Sequence, residues 1–140
     1  MPIQPVDKIW MDGKLVDWED ATVHVLTHAL HYGTGVFEGI RAYETPKGSG
    51  VFRLTDHMKR LARSAQVYMI DIPFSIEEMV QGAKDTVLAS GLKSCYVRPI
   101  VYRGYGEMGL NPLNAPVNVA IGVWPWGPTS ATTAWRTGRG

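Results

Sequence analysis

Three histidines are the first residues of this sequence whose types and spacing could do chemistry. His24, His28 and His31 lie four and three residues apart, so a helix would place all three on one face, where they could bind one metal ion. No cysteine or carboxylate completes a familiar ligand pattern around them, and the residues between them are ordinary core residues. We therefore favour histidines that form hydrogen bonds within a packed segment, and we expect no metal site.

Arg98 and Arg60 are candidates for binding an anion. Arg98 lies in the apolar run 95–102, where a permanently charged guanidinium needs an anionic partner from either the protein or a ligand. The residues alone leave both sources open. Arg60 lies beside Lys59 and Arg63 in a predicted helix, and such groups ordinarily form a solvated helix face.

The segment Arg103 to Gly106 (RGYG) begins like the signature of RNA-recognition motifs, whose aromatic side chains stack on bases. Glu107 and Met108 replace the apolar residues expected next, and 14 basic against 13 acidic residues give a formal charge of only +1. We predict no nucleic-acid partner, because this balance supplies no basic face. The sequence also contains no Ser-His-Asp arrangement, P-loop or dinucleotide fingerprint.

Two hairpins are predicted in the first part of the chain. Asp12-Gly13 is typical of a tight two-residue turn and joins two short strands. The second hairpin has a first strand at residues 34–44 and a return strand at 51–53, on either side of a Pro- and Gly-rich turn. Gly35 and Gly39 lie in that first strand and indicate close approach of backbone or ligand.

Two amphipathic helices follow. From Thr55, which would be the N-cap, apolar residues recur at three- and four-residue steps and predict the first helix. Ser75 and Glu78 match a capping box for the second helix, which is predicted to end at Gly91.

Two strands and a Gly-rich loop complete the predicted elements. Residues 94–102 alternate in polarity, and residues 117–124 are almost continuously apolar, so both are predicted to be strands. The loop 104–116 lies between them. The order of strands, helices and strands predicts an α+β domain: a mainly antiparallel sheet with two helices packed on one face.

Length and composition limit the class of protein. The 140 residues are 45% hydrophobic, which is typical of a globular chain. No apolar run approaches the length of about 18 residues that a membrane-spanning helix needs. The single cysteine, Cys95, allows no internal disulfide, and the first residues lack the pattern of a secretory signal. We therefore expect a cytoplasmic protein with no membrane partner.

Several motifs together resemble one enzyme family. Residues 24–43 (HVLTHALHYGTGVFEGIRAY) resemble the N-terminal hallmark of branched-chain amino acid aminotransferases, which are class IV aminotransferases that use pyridoxal 5'-phosphate. The resemblance continues through VFRL at 51–54, His57, Arg60-Leu61, YVRPI at 96–100, RGYG at 103–106, MGLNP at 108–112 and WPWG at 124–127. It covers residues 8–127 and implies the small N-terminal domain of fold-type IV aminotransferases.

The resemblance implies roles for three polar residues. Arg60 matches the arginine that binds the cofactor phosphate, for which a guanidinium is well suited by its bidentate geometry. Arg98 matches the arginine that receives the distal carboxylate of glutamate or 2-oxoglutarate, with Tyr32 nearby, and Tyr96 matches the tyrosine that contacts the substrate α-carboxylate. The implied activity is amino-group exchange between leucine, isoleucine or valine and 2-oxoglutarate.

The resemblance also implies which residues contact the apolar part of the substrate. Tyr32, Phe37 and Gly39 would line the pocket for the branched side chain. Met108 and Leu110 would extend into the active site of a second subunit, so the complete enzyme is expected to be a homo-oligomer. A pocket with apolar walls and one arginine can accept both leucine-like side chains and glutamate.

The family's catalytic lysine, which forms a Schiff base with pyridoxal phosphate, lies in a second domain beyond position 127. The lysines of this chain are Lys8, Lys14, Lys47, Lys59, Lys84 and Lys93, and the family places no catalytic lysine at any of these positions. We therefore predict no catalytic residue here and expect the chain to be inactive alone. The alternative is a non-catalytic remnant of the same fold that binds an anion or forms dimers.

The final residues, 128–140 (PTSATTAWRTGRG), differ in composition from everything before them and contain no acidic residue. A disordered tail is the simplest interpretation. We favour an out-of-frame translation, because a GC-rich back-translation with one nucleotide restored gives a family-like continuation. The chain is thus divided into a family domain at 1–127 and a frameshifted tail at 128–140, with the catalytic C-terminal domain absent.

Overall fold

One antiparallel sheet of seven strands forms the frame of the computed structural model, which describes residues 2–125. The strands are β1 (Lys8–Met11), β2 (Lys14–Asp17), β3 (Gly35–Phe37), β4 (Ile40–Thr45), β5 (Gly48–Val51), β6 (Cys95–Arg103) and β7 (Val117–Trp124). Their order is β2-β1-β7-β6-β4-β5, and β3 also pairs with β6. The α-helices of the described part are α1 (His28–Tyr32), α2 (Leu54–Val67) and α3 (Ile76–Ser90). The predicted fold class is confirmed.

The first predicted hairpin is present. β1 pairs with β2 in antiparallel register, and Asp12 and Gly13 between them have φ values of 49° and 100°. A two-residue turn with both φ angles positive matches the twist of paired strands, which is why Asp-Gly is favoured there.

The second predicted hairpin differs from the observed one in two ways. The strand expected at 34–44 is divided at Glu38 and Gly39, so that β3 pairs with β6 alone and β4 pairs with both β6 and β5. The return strand begins at Gly48 rather than at Val51, because the turn uses only the residues between Thr45 and Gly48.

The two long helices are present with one correction. α2 begins at Leu54, so Thr55 lies inside the helix and the predicted cap is wrong. Arg53 takes the cap position in a left-handed conformation with φ of 50° and makes no side-chain capping bond. The capping box of α3 is confirmed: the Ser75 hydroxyl accepts from the Glu78 amide at 3.0 Å, and the Glu78 carboxylate accepts from the Ser75 amide at 2.9 Å. Gly91 then ends the helix with φ of 69°.

A third helix, α1, was not predicted. It has only five residues and ends at Gly33, which adopts φ of 67°. The helix includes His28 and His31 but not His24, so the three histidines do not share one helical face. A single turn is too short to produce a recognisable period in the sequence.

The long helices cover one face of the sheet. Alternate residues of β6 and β7 point toward them and are fully buried: Val97, Val101, Val119, Ile121 and Val123. These residues form one core with Met58 and Leu61 of α2 and with Met79 and Ala83 of α3. The intervening residues of the same strands point to the opposite face, which α2 and α3 do not cover.

Cys95 belongs to the covered face. It is fully buried in β6, paired in register with Ala42 of β4, and is the only cysteine of the sequence. Burial raises the pKa of its thiol to about 11.

No helix within residues 2–125 has the length and apolar character needed to cross a membrane. The predicted tail, residues 128–140, lies outside the described residues, as does the end of the WPWG motif.

Gly82→Ala is expected to destabilise the fold. An ideal Cβ at this buried position of α3 would lie 2.7 Å from Cε2 of the Trp10 ring. Overpacking of this kind costs about 1–3 kcal/mol, whereas alanine gains at most about 1 kcal/mol in helix propensity. Urea denaturation should therefore show a lower unfolding free energy. The smaller ring of Trp10→Phe should relieve the clash, so purely additive losses in the double variant would contradict this account.

Candidate functional site

Arg98 lies on the uncovered face of the sheet inside a group of aromatic rings. Its guanidinium carbon is 4.3 Å from the ring centre of Phe37, 5.3 Å from that of Tyr96 and 5.9 Å from that of Trp124. No carboxylate among residues 2–125 forms an ion pair with it, and its buried Nε has no hydrogen-bond partner. Ring faces attract the cation but leave its donors unsatisfied. Within the described residues, the protein thus supplies no anion for Arg98.

Tyr96 connects Arg98 with Gly39. The Tyr96 hydroxyl oxygen lies 3.2 Å from an Nη atom of Arg98, which donates a hydrogen bond to it, and the Tyr96 ring stacks on Trp124. A Cβ added to Gly39 would lie only 2.3 Å from that hydroxyl. The close approach at Gly39 therefore comes from the Tyr96 side chain, whereas the sequence predicted backbone or ligand. At Gly35 the approaching group is backbone, since an added Cβ would lie 3.1 Å from the Val101 carbonyl oxygen.

A cleft of about 480 Å³ opens beside this group. Its walls are mostly apolar, with Leu30, Phe37, Ile100 and Trp124 among them, and Arg98 is the one charged side chain among its lining residues. Such a cleft can bury a branched aliphatic chain and can also pair a carboxylate with its single cation.

Glu38 organises a second polar group on the helix side of the sheet. Its carboxylate accepts hydrogen bonds from Nε and one Nη of Arg60, each at 2.8 Å, and from Nδ1 of His57 at 2.8 Å. Glu38 itself is only 5% exposed. The hydrogen bonds from Arg60 are the main cause that holds the pKa of Glu38 below its ordinary value, against the opposing effect of burial.

Arg60 also faces a pocket suited to an anion. The pocket has a volume of about 350 Å³ and is lined by Arg53, His57, Arg60 and Arg63 together with Phe52 and Asp56. Asp56 pairs with Arg53 at 2.8 Å, and Arg63 forms no ion pair with an acidic residue among the described residues. Glu38 binds only Nε and one Nη of Arg60, so the second Nη remains able to donate to an oxygen atom of a ligand. A phosphate group fits this donor set.

Tyr32 and Met108 form a third contact, between α1 and the loop 104–116. The Tyr32 hydroxyl donates to the Met108 carbonyl oxygen at 3.0 Å. Leu110, two residues further along the loop, is 81% exposed.

The predicted site residues thus fall into separate groups. The structure brings Phe37, Gly39, Tyr96 and Arg98 together, and it joins Tyr32 to Met108. Arg60 is not in either group, because it belongs to the helix layer. Sequence reasoning missed Glu38, which is the only acidic residue in the run 33–43. A charged side chain among apolar residues needs a partner, and this argument, which singled out Arg98, would also have identified Glu38.

The three histidines each form their own hydrogen bonds. His24 Nδ1 accepts from the Leu26 amide at 3.0 Å, and His31 Nε2 donates to the Val25 carbonyl oxygen at 2.8 Å. His28 is fully buried and bonded through both ring nitrogens. Within residues 2–125 no cluster of three or more His, Cys, Asp or Glu side chains could hold a metal ion.

The sequence matches the family model described as "Amino-transferase class IV" over residues 35–137, which extends past Gly127. It is 47% identical over 130 residues to the branched-chain-amino-acid aminotransferase of Pseudomonas aeruginosa, covering 93% of this chain and 42% of the relative. It is 45% identical over 128 residues to the enzyme of that name from Escherichia coli K12, covering 91% and 41%.

Solved structures of branched-chain amino acid aminotransferases are also similar to this chain. The T.th. branched-chain amino acid aminotransferase, complexed with N-(5'-phosphopyridoxyl)-L-glutamate, superposes with a TM-score of 0.85 and 49% identity over 89% of this chain and 42% of the other. The Escherichia coli structure gives 0.83 and 46% over 87% and 40%. The chain spans about two-fifths of the length of these relatives.

Glu38→Gln is expected to remove a stabilisation that depends on pH. Because the folded-state pKa of Glu38 is lowered, the ionised carboxylate stabilises the fold fully above its unfolded pKa of about 4.3, and this effect is lost as the pH falls through the folded-state value. The difference in unfolding free energy between the original chain and the variant should therefore be largest near neutral pH and should shrink under acid. Glu44→Gln is the control, because Glu44 is an exposed carboxylate 3.5 Å from Lys93. Equal pH profiles for the two variants would refute this role.

Gly39→Ala is expected to displace Tyr96 from Trp124. The added Cβ would overlap the Tyr96 hydroxyl at 2.3 Å, whereas the nearest ring carbon is 3.3 Å away. Tryptophan fluorescence should change, and the unfolding free energy should fall. Because Tyr96→Phe removes the overlapping atom, the double variant should regain most of the loss. Failure of Tyr96→Phe to rescue the alanine variant would show that the clash is not the cause.

Proposed function

Because the chain belongs to the class IV aminotransferases, we propose that it is the small-domain part of an enzyme that exchanges an amino group between leucine, isoleucine or valine and 2-oxoglutarate. The names of the relatives support the reaction class, and the geometry of the site supports the two kinds of substrate. We also propose that the protein is located in the cytoplasm.

The observation that carries the proposal is Arg98, a cation inside an apolar cleft that pairs with no carboxylate among residues 2–125. The distal carboxylate of glutamate or 2-oxoglutarate would pair with its unsatisfied donors. A branched aliphatic side chain has no charge to offer, and it would instead pack on Phe37 and the other apolar walls. One cleft can therefore accept both substrates in turn without a change in its residues.

Tyr96 and Gly39 position the rest of the substrate in this proposal. The Tyr96 hydroxyl would donate to the α-carboxylate while it accepts from Arg98, which fixes its orientation. Glycine at position 39 leaves the space that the hydroxyl occupies. Phe37, Gly39 and Tyr32 would line the side-chain pocket, and of these Phe37 lines the cleft.

Arg60 would hold the phosphate of pyridoxal 5'-phosphate, with Arg63 and His57 beside it in the same basic pocket. The bidentate contact with Glu38 keeps the guanidinium in one orientation, so that its outer edge faces an incoming phosphate oxygen. The cofactor, when bound, supplies the electron sink on which amino-group transfer depends. The relative solved with N-(5'-phosphopyridoxyl)-L-glutamate supports pyridoxal phosphate as the cofactor, and the donor set of the pocket supports the place of Arg60.

Met108 and Leu110 would contact the active site of a second subunit, as part of a homo-oligomer. The high exposure of Leu110 supports this placement, since the described chain gives its side chain little to pack against.

No lysine lines the cleft, and we propose that the chain alone does not catalyse transfer. We also propose that residues 128–140 are read out of frame. The family match itself runs to residue 137, into this segment. The nucleotide sequence tests the proposal, because the frame adjacent to the codons after Gly127 should then encode an aminotransferase second domain. A gene whose adjacent frame encodes no such domain would exclude a frameshift.

A non-catalytic anion-binding or dimerisation remnant of the same fold is the second candidate. It is favoured by the presence of both the Arg98 cleft and the Arg60 pocket in a chain whose cleft has no lysine. Binding of 2-oxoglutarate to the chain, with no covalent pyridoxal adduct after borohydride treatment and no amine transfer, would support this candidate if the gene encodes no second domain.

Arg98→Met should separate the two substrate classes in the full-length enzyme that contains this chain. Loss of the cation should lower kcat/KM for 2-oxoglutarate by on the order of 100-fold, the usual effect of removing one partner of a buried charge pair. Leucine should be affected less than about 10-fold, since its side chain makes only apolar contacts. Steady-state kinetics with each substrate measures both values.

Arg98→Lys is the matched control for that variant. It keeps the charge but loses the planar fork, so its kcat/KM for 2-oxoglutarate should lie between those of the original enzyme and Arg98→Met. Equal losses for leucine and 2-oxoglutarate in Arg98→Met would refute the assignment of Arg98 to the distal carboxylate.

A further inference from the structure

His28 is the fully buried histidine of the described chain, and both of its ring nitrogens are engaged. Nδ1 lies 2.9 Å from the Thr34 hydroxyl oxygen, and Nε2 lies 2.9 Å from the carbonyl oxygen of Gly109. A carbonyl oxygen can only accept, so Nε2 must carry the proton and donate to Gly109. In the neutral ring Nδ1 then accepts from Thr34, which fixes both the tautomer and the orientation of the imidazole.

Tyr32 makes a second bond to the same loop, one helical turn further along α1. Its ring centre lies 4.5 Å from that of His28, and its hydroxyl donates to the Met108 carbonyl oxygen at 3.0 Å. Two adjacent carbonyl groups of the loop, those of Met108 and Gly109, are therefore held by two side chains of one short helix.

The tip of the loop, residues 107–111, has few other attachments. Glu107 accepts from the Gly109 amide and Asn111 accepts from the Leu113 amide, so both of these bonds stay within the loop. Within residues 2–125, the hydrogen bonds that join the tip to the rest of the protein are those from His28 and Tyr32.

The base of the loop is fixed separately. Gly104 donates its amide to the Pro116 carbonyl oxygen at 2.7 Å, and the buried Arg103 donates to the Ala115 carbonyl oxygen at 2.9 Å. The His28 amide also donates to the Gly104 carbonyl oxygen at 3.1 Å, but none of these bonds at the base uses the His28 or Tyr32 side chain. Loss of the two side-chain contacts would therefore free the tip without opening the base.

We propose that His28 is a positioning residue that, together with Tyr32, fixes the loop tip 107–111 and so sets the placement of Met108 and Leu110. The role of those two residues at a substrate site rests on the proposed function, whereas the attachment of the tip does not. α1 lines the cleft with Ala29 and Leu30 while His28 and Tyr32 hold the loop, so the same helix links the cleft to the tip.

Two substitutions by amide side chains distinguish the effect of the hydrogen bond from His28 to Gly109 from the effect of losing the packed ring. Glutamine places an amide N–H near the position of Nε2, so His28→Gln can still donate to Gly109. Asparagine places its amide near Nδ1, so His28→Asn can still bond Thr34 but cannot reach Gly109. Both variants lose the imidazole ring, and a purely structural role would affect them alike.

Backbone ¹⁵N relaxation of the full chain tests the attachment. The order parameters of Met108, Gly109 and Leu110 should stay near the rigid value of about 0.85 in the original chain and in His28→Gln, and should fall below about 0.6 in His28→Asn. Equal order parameters in the two variants would overturn the proposal. If His28→Asn does not fold, Tyr32→Phe removes a single hydroxyl and should lower the order parameter of Met108. An unchanged Met108 value in Tyr32→Phe would also overturn it.

Kinetics of the full-length enzyme tests the link to the substrate. KM for leucine should rise about 10-fold in His28→Asn relative to His28→Gln, with kcat within about threefold, because a displaced loop weakens binding without removing a reacting group. A mobile loop with unchanged KM would support the attachment by His28 and would count against the placement of Met108 and Leu110 at the substrate site.

Discussion

The buried carboxylate of Glu38 is the interaction on which the arrangement of the site depends. An ionised carboxylate so poorly exposed is tolerated only with charged or hydrogen-bonding partners, and it has them in Arg60 and His57, from one face of α2. The register of α2 on the sheet is thereby linked to the break between β3 and β4. Across that break, Phe37 meets Arg98 on the uncovered face and Gly39 accommodates the Tyr96 hydroxyl. Three consecutive residues thus connect the anion pocket of the helix layer with the cleft on the sheet.

Local signals in the sequence were sufficient to predict much of the fold. They failed to predict those element boundaries that are determined by tertiary contacts. The Asp12-Gly13 turn and the capping box at Ser75 are encoded within a few neighbouring residues, and both were predicted correctly. The division of the strand at Glu38 was not predictable in this way, because the β-branched and aromatic composition continues through it. The start of α2 was also misjudged, since Arg53 takes a left-handed conformation for which its residue type gives no signal.

The site shows the same division between local and distant causes. Arg98 could be singled out because a charge in an apolar strand needs compensation, but only the structure shows aromatic rings around it and, among residues 2–125, no carboxylate. The spacing of the histidines allowed a shared metal ion, but the prediction favoured hydrogen bonds within a packed segment, and each histidine bonds its own partners. One of the two partners of His28 lies 81 residues away in the loop. Contacts over such separations leave no pattern in a single sequence, and the roles of Met108 and Leu110 came from resemblance alone.

Cys95 can report on the opening of the covered face of the sheet. The only thiol lies on the covered face of β6 with no exposed surface, and its raised pKa leaves almost no thiolate at neutral pH. An alkylating reagent can therefore react only after β6 has separated from the helices, so the rate of labelling measures how often the covered face opens. Because β6 pairs with β3, β4 and β7, that rate follows the opening of the strand that carries Tyr96 and Arg98, without any added probe.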